Sequence, residues 1–209
     1  MTHLSRLFST TVRAAATLFV VATLPLAAQA APQVGEAAPE FSVADTAGTT
    51  HSLADFAGQT VILEWTNHEC PFVVKHYGSD NMQTLQRRYT EAGAVWLTVI
   101  SSAPGKQGHV SAQDADRLTA ERQAAPTAVL LDESGDMGRA YDARTTPHMY
   151  VIDGDGVLRY MGGIDSNPSA DPADIPDATP FLADAASAVL DGTDVNRAVT
   201  RPYGCTIKY

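Results

Sequence analysis

Between Thr60 and Tyr89 the pattern of apolar and polar positions changes period once, and the rest of the chain is organised around that change. Val61, Ile62 and Leu63 form an apolar, largely β-branched run leading into Trp65, which predicts a buried strand. A short polar stretch, Thr66 to Glu69, follows and ends at Cys70-Pro71. Beyond it Val73, Val74, Tyr77, Met82, Leu85 and Tyr89 recur at helical spacing and predict a long helical stretch with a shared face, with Gly78 as the point where it could break or kink. Proline suits the first helical position, because that residue's missing N–H had no partner inside the helix anyway. The spacing therefore predicts Cys70 at the head of a helix and at the end of a buried strand. The partial positive charge of a helix N-terminus favours the thiolate, which is the reactive form of cysteine.

Upstream, the chain reads as a short strand, a turn at Ala47-Gly48, a second short strand and a helical turn ending at Gly58. Downstream, Ala94 to Ser101 reads as a buried strand and Ser102 to His109 as an irregular loop. Ser111 can cap a helix running through Leu118 to Arg122, and Thr127 to Leu131 forms another strand. A short helix around Arg139 to Tyr141 leads to Thr145-Thr146-Pro147-His148, then to strands Met149 to Asp153 and Val157 to Met161 joined by Gly154-Asp155-Gly156. Residues 165–180, rich in Asp and Pro, predict a surface loop or partly disordered linker without chemistry. Phe181 to Leu190 is an amphipathic helix, and 193–209 is a tail carrying Cys205. Strands alternating with helices and closing on a hairpin imply an α/β layered fold with a mixed sheet. No repeat or second core is visible, so one domain is expected.

Composition changes this picture at the N-terminus. Arg6 and Arg13 precede an apolar run from Ala14 to Ala28, and Ala28-Gln29-Ala30 offers a small-residue cleavage site. Residues 1–30 therefore read as a signal peptide cut after Ala30, leaving 31–209 as the working domain, periplasmic or secreted and off the membrane. The leader takes two arginines and no acid, so the formal charge falls from −10 to −12. Such an acidic chain is a poor partner for nucleic acid or an anionic membrane, both of which need clustered basic side chains. Both cysteines, Cys70 and Cys205, would meet an oxidising compartment.

A family resemblance rests on particular residues. Gly35-x-x-Ala38-Pro39-x-Phe41, the Asp45-x-x-Gly48 turn, Ser52-Leu53-x-Asp55-Phe56-x-Gly58 and the strand after it are similar to the redoxin family, alkyl hydroperoxide reductase/thiol-specific antioxidant. Asn67-His68-Glu69-Cys70-Pro71-Phe72-Val73 resembles the signature of a peroxiredoxin-like group within it. The likeness runs in segment order from about Val34 to Ile164. It implies a thioredoxin-like fold: a central mixed β-sheet flanked by helices, with a short N-terminal β extension and a C-terminal helix plus tail. It also implies that Pro147 is cis and faces Cys70, where its backbone would pair with an extended substrate. By resemblance the partners are a disulfide or peroxide substrate, protein or small molecule, and an external thiol electron donor, with no bound cofactor and no metal.

The chain departs from two familiar patterns. Val73 stands where a C-x-x-C motif would place its second cysteine, while Leu63 and Asn67 occupy the Pro and Thr/Ser places of the peroxidatic motif. Pro147 also stands at the spot comparable to the peroxide-binding arginine. The residues thus leave thiol–disulfide exchange and peroxide reduction both open. Cys70 is the candidate nucleophile and Cys205 the candidate resolving thiol; a permanent Cys70–Cys205 staple in a non-catalytic binding module is the alternative. His68 and His148 are candidate neighbours of the thiolate: a protonated His68 would lower the thiol's pKa, whereas Glu69 would raise it. A copper or zinc site built from Cys70, His68 or His76, and His148 is a third reading that matches no strong ligand spacing.

Overall fold

The structure is a computed structural model that describes residues 31–209; the expected leader lies outside the described residues. Two short strands, β1 (Ser42–Ala44) and β2 (Thr50–Ser52), form an antiparallel hairpin. Its turn is held by Asp45 Oδ1, which accepts from the N–H groups of Ala47 and Thr49. A 3-10 turn (Leu53–Phe56) then delivers the chain into β3 (Val61–Trp65).

β3 is the centre of a five-stranded sheet in the order β5-β4-β3-β7-β8. It runs parallel to β4 (Val95–Ile100), which is parallel to β5 (Ala128–Leu131), and antiparallel to β7 (His148–Ile152), which turns back as β8 (Leu158–Gly162). All five residues of β3 are buried, as expected of a strand covered on both faces. Alternation sends Val61, Leu63 and Trp65 into one core with Tyr141, Tyr150 and Ile207. It sends Ile62 into the other, with Cys70, Val73, Tyr77, Trp96, Met149 and Leu182. Each fully buried large side chain contributes about 1.5–3 kcal/mol of transfer free energy, so both faces of the sheet are firmly covered.

The long helical stretch breaks after Gly78, where the sequence allowed a break or kink, into two helices, α1 (Pro71–Gly78) and α2 (Asn81–Glu91). The chain turns between them at Asp80, whose φ of 59° lies in the left-handed region. The break re-phases the apolar stripe: Val73 and Tyr77 are buried, whereas Val74, expected on the same face, is 49% exposed. Helix α3 (Ala112–Glu121) begins where Ser111 Oγ accepts from the Asp114 N–H, and α4 (Asp136–Ala140) and α5 (Phe181–Leu190) complete the helical layers. The 166–180 stretch runs along the surface, but Asp165, expected in that loop, is buried. Two short strands, β6 (Thr145–Thr146) and β9 (Cys205–Thr206), form a separate antiparallel pair that fastens the tail. Among the described residues no helix is long and apolar enough to cross a membrane.

Candidate functional site

Cys70 is the N-cap of α1 and Pro71 its first residue. The loop before it is a tight polar turn: Asn67 Oδ1 accepts from the Glu69 N–H at 2.9 Å, and the Asn67 carbonyl accepts from the Cys70 N–H at 3.0 Å. The thiol is fully buried. Across it lies the Thr146–Pro147 peptide, which is cis, and the Thr146 carbonyl accepts from Cys70 Sγ at 3.0 Å.

The second cysteine reaches the same place from the far end of the chain. β9 pairs with β6 so that Cys205 stands opposite Thr146 and Thr206 opposite Thr145. The Cys205 N–H points at Cys70 Sγ from 3.4 Å. Both cysteines are free. The preceding Gly204 has φ of +128°, and a Cβ there would run into the Thr146 carbonyl, so the close approach of tail and proline loop requires glycine. Past Cys205 the tail is seated by buried Ile207, whose N–H donates to the Arg144 carbonyl, and by Tyr209, whose hydroxyl donates to the Ala143 carbonyl at 2.7 Å.

The electrostatics separate the two thiols. Burial pushes the Cys70 thiol up, but hydrogen bonds from the Cys205 and Thr146 side chains and from the Val73 and Cys205 N–H groups outweigh it, and the net direction is down. Contact with the Thr146 carbonyl favours the protonated form, so thiolate formation turns that contact from attraction to repulsion. Cys205 moves the other way: burial, the hydrogen bond to Cys70 and the charge on Cys70 push it up to about 11. Of the pair, Cys70 ionises first and Cys205 keeps its proton.

Neither expected histidine reaches the sulfur. His68 is half-buried beside a cavity that it lines with Arg122 and Leu118, and burial is the main cause that lowers its pKa. Its neighbour Glu69 also turns away, accepting from the Gly108 N–H at 2.9 Å. His148 begins β7 opposite Trp65. Its ring lies tilted 4.5 Å from that of Tyr150 and its Nδ1 lies 3.1 Å from the Tyr150 hydroxyl, inside the aromatic core. Burial lowers its pKa to about 3. Strand parity explains the miss: consecutive residues face opposite sides of a sheet, and Met149, not His148, is on the Cys70 side.

Two buried polar sites lie apart from the expected thiolate neighbours. Glu64, inside an apolar run, accepts from Tyr77 Oη (2.8 Å), Trp96 Nε1 (2.9 Å), Gln86 Nε2 (3.2 Å) and Thr98 Oγ1 (3.2 Å), and burial raises its pKa. Lys75, His76 and Asp165 form a second cluster around Tyr203. A charged residue interrupting a buried strand is the available signal for Glu64; in the second cluster His76 stands only among the candidate metal ligands, and nothing in the sequence marks Lys75 or Asp165. Among the described residues no group of three or more His, Cys, Asp or Glu side chains is arranged to hold a metal ion.

The sheet order and the cysteine at the head of the first long connection define a thioredoxin-like α/β protein. The model of the AhpC/TSA family matches residues 34–161, and the chain belongs to that family. It is 27% identical over 127 residues to the thioredoxin-like protein YneN of Bacillus subtilis, covering 61% of this chain and 69% of that protein. Its fold is similar to that of a hypothetical protein of Sinorhizobium meliloti 1021, with a TM-score of 0.71 at 22% identity over 86% of this chain and 96% of that one. It is also similar to a protein described as a thiol:disulfide interchange protein, DsbE, from Chlorobium tepidum, with a TM-score of 0.52 at 23% identity over 63% and 85%. Family and fold together support a thiol-redox role in the broad sense.

Proposed function

We propose that this chain is an exported thiol oxidoreductase that cycles between a Cys70/Cys205 dithiol and a Cys70–Cys205 disulfide. The observation that carries the reading is the apposition of two free thiols, 135 residues apart, by a strand pair dedicated to the tail. In the peroxide route the Cys70 thiolate attacks a hydroperoxide, breaking the O–O bond and leaving a sulfenic acid and an alcohol or water. Cys205 then attacks the sulfenic sulfur, an S–S bond forms, and water leaves. In the exchange route Cys70 attacks an external disulfide, one thiol leaves, and Cys205 releases the second. Either way an external dithiol returns two electrons and two protons.

The opposed pKa shifts suit this order of events. Two of the causes that hold Cys205 protonated are interactions with Cys70. They disappear when Cys70 becomes a neutral sulfenic acid or mixed disulfide, so Cys205 becomes a better nucleophile at the step that needs it. Export rests on the leader pattern around Arg6, Arg13 and Ala28-Gln29-Ala30. The thiolate of Cys70 is the nucleophile, Pro147 shapes the loop beside it, and neither His68 nor His148 has a part.

The test is to oxidise the reduced chain with hydrogen peroxide or with oxidised glutathione and follow the thiols by mass spectrometry. The wild type should lose two hydrogens as the Cys70–Cys205 bond forms. Cys205→Ser should stop at a sulfenate or a glutathione adduct on Cys70, and Cys70→Ser should stay unmodified with either oxidant. The faster oxidant identifies the route. A Cys70–Cys205 bond that resists strong reductant until the fold is denatured would instead mark a stapled binding module.

A further inference from the structure

We infer that Tyr203, held by His76 and Asp165, is a positioning residue that docks the Cys205 strand on Cys70 and so sets the rate of the resolving step. The inference rests on the dithiol cycle proposed above and adds residues that neither the sequence motifs nor the cysteines themselves point to. Tyr203 lies two residues before Cys205, and Lys75 and His76 lie five and six residues beyond Cys70 on the helix that Cys70 caps. The cluster therefore cross-links the two backbone segments that carry the two sulfurs.

Its hydrogen bonds run in one direction. Asn81 Nδ2 donates to His76 Nδ1 at 2.8 Å, His76 Nε2–H donates to the Tyr203 hydroxyl at 3.1 Å, and that hydroxyl donates to Asp165 Oδ1 at 2.6 Å. The direction requires a neutral imidazole, and burial keeps His76 neutral down to about pH 4. Asp165 Oδ2 has no hydrogen-bond partner and lies 3.8 Å from both Lys75 Nζ and His76 Nε2. The Lys75 and His76 side chains are wholly buried. Lys75 Nζ donates to the Asn167 carbonyl at 3.2 Å and sits over the Tyr203 ring, whose edge meets Phe72.

A buried charged cluster is a weak source of stability, because desolvation offsets much of the attraction, but removing one of its partners leaves the others buried and uncompensated. Here the group that completes it is the Tyr203 hydroxyl. If the tail shifted, a buried carboxylate would be left short of a donor, so the cluster resists movement of the neighbouring Cys205. Proximity held in this way raises the effective concentration of one thiol at the other.

The experiment is a partition measurement on the full chain. Reduced protein receives one equivalent of hydrogen peroxide in the presence of dimedone, which traps sulfenic acid, and the Cys70 dimedone adduct is quantified against the Cys70–Cys205 disulfide. The ratio reports the resolving step and is independent of how fast Cys70 is first oxidised. Tyr203→Phe keeps the ring on Phe72 and removes the hydroxyl; it should shift the ratio about tenfold toward the adduct, in line with losing a hydrogen bond to a charged acceptor. The same variant should raise the Cys70 pKa, read by thiolate absorbance, because the Cys205 donors to the sulfur are loosened. His76→Gln attacks the docking from the other side and should move the ratio in the same direction, which keeps the test available if one variant does not fold. Asp165→Asn retains an acceptor for the hydroxyl and should stay closer to wild type than Tyr203→Phe. A ratio unchanged in both folded variants would overturn the inference. A wild type that yields neither adduct nor disulfide at Cys70 with hydrogen peroxide, and no Cys70–Cys205 disulfide with oxidised glutathione, would instead sink the dithiol cycle itself.

Discussion

His148 and His76 are both buried and both held neutral, yet they belong to different parts of the molecule. His148 lies on the sheet face filled by Trp65, Tyr141 and Tyr150, and its hydrogen bonds end at the Tyr150 hydroxyl and the Arg144 N–H. That face is an aromatic core and is closed. His76 lies on the opposite side, where α1, α2 and the tail meet, and its chain of hydrogen bonds leads to Tyr203 beside Cys205. Nearness in sequence to the proline loop placed His148 among the candidates, but parity turned it away. What sets His76 apart is a partner 127 positions distant, which no local pattern encodes.

The sharpest way to break this contrast is on the polar face. Glu64→Ala leaves four buried donors without their acceptor and should destabilise by about 3 kcal/mol or more, read by denaturant unfolding. Glu64→Gln keeps the shape and should recover much of that loss. Next comes Gly204→Ala, which places a methyl against the Thr146 carbonyl at a left-handed φ. It should slow Cys70–Cys205 disulfide formation and speed amide exchange at Ile207, at a local cost of about 1–3 kcal/mol.

Acid should test both histidines together. His148, faced by Tyr150, Asp142 and Arg144, has its pKa lowered to about 3, and His76, faced by Asn81, Tyr203, Lys75 and Asp165, to about 4. The ordinary value of 6.5 applies once the chain unfolds. The unfolded state therefore binds protons first, and stability falls as pH drops from about 6.5 toward 4, by up to about 1.4 kcal/mol per pH unit for each histidine. Unfolding curves at several pH values should lose part of that slope in His148→Phe. A slope unchanged in that variant would show that His148 is solvated rather than sealed in the core. The smallest effect belongs to the surface: Arg87→Ala breaks an exposed pair with Asp80 and should cost less than about 0.5 kcal/mol.

Much of the fold was legible because it is local. The β-branched run before Trp65, the Cys70-Pro71 junction, the Ser111 cap and the Phe181–Leu190 stripe each encode their element within a few residues. The redoxin resemblance, carried by segments from Val34 onward, agrees with the family match and with the mixed five-stranded sheet. Gly78 marked the place where the helical pattern could break, and the first helix does end there; the left-handed turn at Asp80 that completes the break leaves almost no trace in hydrophobic periodicity. The Asp-rich stretch misled in a similar way: composition describes 166–180 well but says nothing of one carboxylate at its edge that a distant lysine and tyrosine enclose.

By itself, then, the sequence determined which segments are strands and helices, and that a cysteine heads a helix at the end of the central strand. Those properties follow from short-range periodicity, capping and proline geometry. Only the tertiary structure decided that Cys205 meets Cys70, that His148 does not, and that Tyr203 closes a buried charged cluster between them. These depend on strand parity and on pairings across 135 and 127 positions, where desolvation and shape, not local preference, select the partner.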